Sequence, residues 1–140
     1  MKLHLPESFW SSCVVTNISI LTGWKFKTVR RKILEQRTRF KFNSKGFKNC
    51  VNYSKSVEYA FLPEINAILR SKGIKIRWRK WKGYYQDFPH KFSNGTYMVY
   101  LTNHISIVKD GMIYDNMGWN MYVGNHNLKF STVHFYSKIS

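Results

Sequence analysis

The chain has 140 residues, of which 44% are hydrophobic and 17% aromatic, enough apolar material to build a packed core and to exclude a disordered tail. Its charge is the outlier: 23 Lys and Arg face 7 Asp and Glu, for a formal net charge of +16. Such a surface attracts nucleic acid, anionic lipid or acidic protein without any specific site, and it excludes nothing about catalysis.

Residues 1–10 read as an extended lead-in, with no apolar run that would act as a signal peptide. Ser11 or Ser12 caps a helix from Cys13 to about Thr22, and Gly23 stops it. Val14, Ile18 and Leu21 fall at helical spacing and form a buried stripe. A second helix, about Lys27–Arg37, buries Phe26, Val29, Ile33 and Leu34 and shows Arg30, Arg31 and Lys32 to solvent. Residues 38–56 have no clear period and read as a long basic loop containing Cys50, taken as an ordinary thiol. A third helix starts at Ser56 or Pro63 and runs to Lys72, with Ile65, Ile68 and Leu69 inward.

Strands follow. Ile74–Trp81 alternates apolar and basic residues. Residues 83–95 read as a loop, and Thr96–Thr102, Asn103–Lys109 and Met112–Asn116 as strands, with further short strands near 119–123 and 127–136. Helices first and an antiparallel sheet second make an α+β chain, expected to form a single domain over residues 1–140. No stretch is long and apolar enough to span a membrane. Two cysteines without an export signal suggest free thiols in a reducing compartment, so a cytoplasmic location is expected.

Asp110-Gly111 supplies the two residues of a type I′ hairpin turn. Counting outward pairs Lys109 with Met112, Val108 with Ile113 and Ile107 with Tyr114. Alternation then puts His104, Ser106 and Val108 on one face with Ile113, Asp115 and Met117. Asp115 becomes the diagonal neighbour of His104, with backbones within about 7 Å. A carboxylate there can hold the imidazole, which is the base-and-orienter half of a triad. Cys13, in the first turn of its helix, is the candidate nucleophile, because a helix N-terminus and a nearby imidazolium both favour the thiolate. Taken singly, each residue also has a plain reading: a buried cysteine, a strand histidine bonded to backbone, an aspartate closing a turn. Asn116 is the alternative orienter, on the opposite face.

The order of Cys13, His104 about 90 residues later, and then Asp115 resembles that of papain-like cysteine peptidases. The run Cys13-Val14-Val15 to Thr22-Gly23, with Gly95-Thr96-Tyr97-Met98-Val99 and His104 to Asp115, is most similar to small papain-like proteins of bacteria and phages related to bacteriocin-processing peptidases. The resemblance covers roughly residues 11–23 and 65–117. It implies a papain-like fold, with the nucleophile opening the first helix and the other two residues on the sheet. It also implies Cys13 as nucleophile, His104 as general base and Asp115 as orienter of a cysteine peptidase acting on a peptide or protein, or of a related thiol hydrolase, deamidase or acyl-transfer enzyme. The family usually carries Gln where this chain has Glu7. An ionised Glu cannot donate to an oxyanion, so either another donor such as the Cys13 backbone N–H serves, or Glu7 is protonated, or the oxyanion hole is impaired.

A second reading keeps the papain-like scaffold without catalysis, as a basic nucleic-acid-binding or phage structural protein, inside a host cell or virion-associated. Lys75, Arg77, Arg79 and Lys80 with Trp78 and Trp81 combine cations for phosphates with rings for stacking. His4, His90, His126 and His134 show no metal-ligand spacing, so neither a metal nor another cofactor is expected. The sequence does not indicate an oligomeric state.

Overall fold

The computed structural model describes residues 1–40, 58, 60 and 62–140. Most of the 38–56 loop, with Cys50, lies outside these residues; 38–40 continue the second helix. The elements are α1 (Cys13–Thr22), α2 (Phe26–Phe40), α3 (Leu62–Ser71), β1 (Arg79–Tyr84), the one-turn α4 (Phe88–Lys91), β2 (Thr96–Leu101), β3 (His104–Lys109), β4 (Met112–Asp115), β5 (Gly118–Met121) and β6 (Thr132–Lys138). The six strands form one antiparallel sheet in the order β1-β6-β2-β3-β4-β5, so the chain is mixed α+β. No helix among the described residues is long and apolar enough to cross a membrane.

Helix α1 is the centre of the packing. Ser12 caps it, its hydroxyl accepting from Val15 N–H at 3.1 Å. Gly23 ends it in the left-handed region at φ 78°, and a Cβ there would meet the His4 ring at 3.0 Å. Every residue from Val14 to Thr22 is buried. On one face of the sheet, Val15, Ile18 and Leu21 of α1 join Val29 and Ile33 of α2, Ile65, Ile68 and Leu69 of α3, and Met98, Ile105 and Ile107 of the strands. Each such side chain contributes roughly 1.5–3 kcal/mol by leaving water. The other face carries a smaller aromatic core: Tyr85, Phe88 and Val123 pack on Tyr97, Val99, Leu101, Val108, Ile113 and Val133.

The β3–β4 hairpin has the expected register, with Ile107 opposite Tyr114, Val108 opposite Ile113 and Lys109 opposite Met112. Asp110 and Gly111 both have positive φ, 50° and 82°, as a type I′ turn requires.

Other segments depart from the periodicity. Ile74, Ile76 and Trp78 do point inward and Lys75, Arg77 and Arg79 outward, but pairing begins only at Arg79. The reason is local: Ile74 N–H closes the end of α3 on Leu69 O, and Arg77 N–H donates to the Ser137 hydroxyl at 2.8 Å. Leu34, expected inside, is 54% exposed. The 83–95 loop contains α4, whose Phe88 plugs the second core. The last strand is shifted to Thr132–Lys138, where it fills the slot between β1 and β2.

Candidate active site

Cys13 opens α1, His104 opens β3 and Asp115 ends β4, and the packing of α1 on β3 and β4 brings the three together. His104 Nε2 lies 2.9 Å from Asp115 Oδ2. Its remaining ring nitrogen is left for Cys13, and the two groups lie close enough to shift each other's protonation. Cys13 is half-buried, whereas His104 and Asp115 are buried.

The backbone is locked around this contact. Asn17, one turn after Cys13, donates its amide to Ile105 O. The Ile105 backbone also lies close enough to the Cys13 sulfur to favour its thiolate. Asn116 Nδ2 donates to Ser11 O at 3.2 Å, tying the end of β4 to the residues that lead into α1. Asn116 therefore faces away from His104 and leaves the orienting position to Asp115.

Asp115 is fully buried, and both carboxylate oxygens are occupied. Oδ2 accepts from His104, from Ser106 Oγ at 2.7 Å and from His126 Nε2 at 2.9 Å; Oδ1 accepts from Met117 N–H at 2.7 Å. Ser106 receives the Tyr85 hydroxyl at 2.5 Å. Burial alone would raise the carboxyl, but the hydrogen bonds from His104, His126 and Ser106 and the His104 charge hold it well below the usual carboxylate range.

His104 shows the complementary behaviour. Burial disfavours its charge, yet the Asp115 hydrogen bond, the Cys13 hydrogen bond and both negative partners raise it to about 9. Burial pushes the Cys13 thiol up and Asp115 adds to that. The His104 hydrogen bond and charge and the Ile105 backbone outweigh both, and the thiol falls below its ordinary value. The group thus favours a thiolate beside an imidazolium, the reactive form of a cysteine nucleophile.

Glu7 is engaged by the second helix. Its Oε1 accepts the Phe26 N–H at 2.6 Å, at the start of α2, a helix with no acidic residue in its own first turn. The Cys13 and Val14 N–H groups remain the donors that helix α1 itself leaves without a carbonyl. Trp78 and Trp81 also depart from expectation. The Trp78 indole donates to Asn66 Oδ1 at 2.9 Å, and Trp81 packs edge-on against Phe88 and Phe92. Both rings are held in the cores, so the stacking role expected of them lacks support, while Lys75, Arg77, Arg79 and Lys80 are exposed.

Sequence reasoning passed over His126 and Tyr85. Both come from segments without periodicity and reach Asp115 only through the fold. The donor atoms of His104, Asp115 and His126 lie within 4.8 Å of one another, close enough to surround a metal. The chemistry of the set speaks for protons instead. Leu128 N–H donates to His126 Nδ1 at 3.0 Å, so that nitrogen offers a lone pair and Nε2 must carry the hydrogen. A metal on Nε2 would leave the ring with no proton at all. Compared with known proteins, this chain matches no family model, no curated protein and no solved structure.

Proposed function

We propose that the protein is a thiol hydrolase of papain-like type, cleaving a peptide or related amide bond through Cys13, His104 and Asp115. The observation that carries this reading is His104 bridging Asp115 at 2.9 Å and the Cys13 thiol, at the start of a buried helix. A nucleophile-bearing helix packed on an antiparallel sheet that holds the base and its orienter supports the papain-like arrangement.

In this mechanism the Cys13 thiolate attacks the carbonyl carbon, and the oxyanion forms against the N–H groups of the first turn of α1. His104 passes its proton to the leaving amine as the C–N bond breaks, leaving a thioester on Cys13. His104 then takes a proton from water, the resulting hydroxide attacks the thioester, and the acid leaves as the Cys13 thiolate is expelled beside the protonated His104, which restores the starting pair. Asp115 keeps the imidazole oriented and stabilises its charge without taking the proton.

Alkylation of Cys13 by iodoacetamide against pH, read by mass spectrometry, tests the reading. Fast labelling at pH 6 is expected. His104→Ala should lower that rate, by at most about 300-fold, the thiolate deficit at pH 6 of a thiol returned to its free value of about 8.5. A Cys13 no faster than Cys50 would refute it.

The exposed cations Lys75, Arg77, Arg79 and Lys80 support a second reading, in which the same scaffold binds a polyanion. Salt-sensitive DNA binding unaffected by Cys13→Ala is its expected signature, and no binding at ~50 mM salt refutes it, because phosphate contacts are strongest there.

A further inference from the structure

We infer that His126 is a positioning residue of this site, a fixed proton donor that locks Asp115 in the orientation His104 needs. The inference rests on the thiol-hydrolase reading and adds a fourth side chain to it.

His126 is buried, and both of its ring nitrogens are committed. Leu128 N–H can only donate, so Nδ1 accepts and Nε2–H points at Asp115 Oδ2. The ring cannot turn freely. His126 N–H is tied to Val123 O at 3.0 Å, and the Tyr85 ring stands edge-on to the imidazole at 5.2 Å and 79°. His104 differs in one respect: its second nitrogen faces a thiol that exchanges protons, not a backbone amide. One histidine is built to transfer a proton and the other to hold one.

The carboxylate explains why the second is useful. An ionised carboxylate offers about four lone-pair sites. Here His104, His126 and Ser106 converge on Oδ2, and Met117 N–H serves Oδ1. The ionisable groups around Asp115 are His104 of β3, Cys13 of α1, His126, and Tyr85, which reaches it through Ser106. Removing the His126 donor takes away one of the three hydrogen bonds on Oδ2 that favour the ionised carboxylate, so Asp115 binds a proton more readily and holds His104 less firmly. The imidazolium then supports the thiolate less well.

His126→Phe keeps a ring of similar size and removes the donor, while His126→Gln keeps both a donor and an acceptor. The expected result is that the acid limb of Cys13 alkylation moves up by roughly one pH unit in His126→Phe, the scale of one lost hydrogen bond to a charged group, and stays near wild type in His126→Gln. A folded His126→Phe with the wild-type profile overturns the inference. So does an equal shift in both variants, which would mean that the ring only fills space. Should His126→Phe not fold, the ring tautomer of the wild-type protein decides, read by long-range ¹⁵N–¹H correlation at pH 7.5. A proton on Nε2 supports the inference and one on Nδ1 overturns it. Failure of the thiol-hydrolase reading looks different: wild-type Cys13 would then be slow and indifferent to His104→Ala, whatever happens at His126.

Discussion

The β3–β4 hairpin and the β1 edge of the same sheet handle charge in opposite ways. At the hairpin, Asp115 and His104 are buried and every oxygen of the carboxylate has a donor. At the edge, Lys75, Arg77, Arg79 and Lys80 stand in solvent. A buried, bonded charge shifts its neighbours' proton affinities and is costly to disturb, whereas exposed charges are screened and contribute little individually. The high net charge is therefore a property of the surface, while the chemistry proposed for the protein rests on the buried His104 and Asp115 and the half-buried Cys13.

The largest effect that would test this contrast is at Asp115. Asp115→Asn replaces an oxygen acceptor with an amide that faces donors, and a loss of about 3 kcal/mol in urea unfolding at pH 7 is expected. A variant as stable as wild type would show that the buried network is not under tension.

A pH series sharpens the same side. His104 holds its proton up to about 9 in the folded chain, against an ordinary value of 6.5, which by itself makes stability fall as pH rises through that window. Cys13 contributes the opposite sign, because the folded chain has already released a thiol proton that the unfolded chain still carries. In wild type the two oppose each other, so stability changes less with pH between these values than His104 alone would make it. In Cys13→Ser the offset is gone while Asp115 still raises His104. Stability should then fall with pH from about 6.5 upward, by at most about 1.4 kcal/mol per pH unit, measured by urea midpoints from pH 6 to 9. Parallel curves for the two proteins would show that the histidine and the thiol do not share a proton.

The smallest effect belongs to the edge. Replacing Lys75, Arg77, Arg79 and Lys80 together by Gln should change unfolding free energy by no more than about 1 kcal/mol and leave Cys13 alkylation untouched. A drop in labelling rate would mean that the two regions are coupled and that the contrast fails.

What could be read from the chain were the relations set by short-range geometry. The cap at Ser12, the stop at Gly23 and the Asp110-Gly111 turn are local, and from the turn the period of two carries His104 and Asp115 to one face. Glu7 could not be placed in this way, because its partner Phe26 is 19 residues on and the contact depends on where α2 begins. Ile74–Trp78 had the right alternation, yet hydrogen bonds to Leu69 and Ser137 withheld it from the sheet. His126 and Tyr85 carried no signal at all, since aperiodic segments fix no direction for a side chain. Local sequence determined which residues could meet across one turn or one helix start. Only the tertiary packing of α1 on β3 and β4, and of the 85 and 126 segments on the opposite face, decided that Cys13 and a second histidine would converge on the same pair. The reason is physical: backbone periodicity propagates direction over a few residues, whereas the closing of a site depends on burying apolar surface contributed from the whole chain.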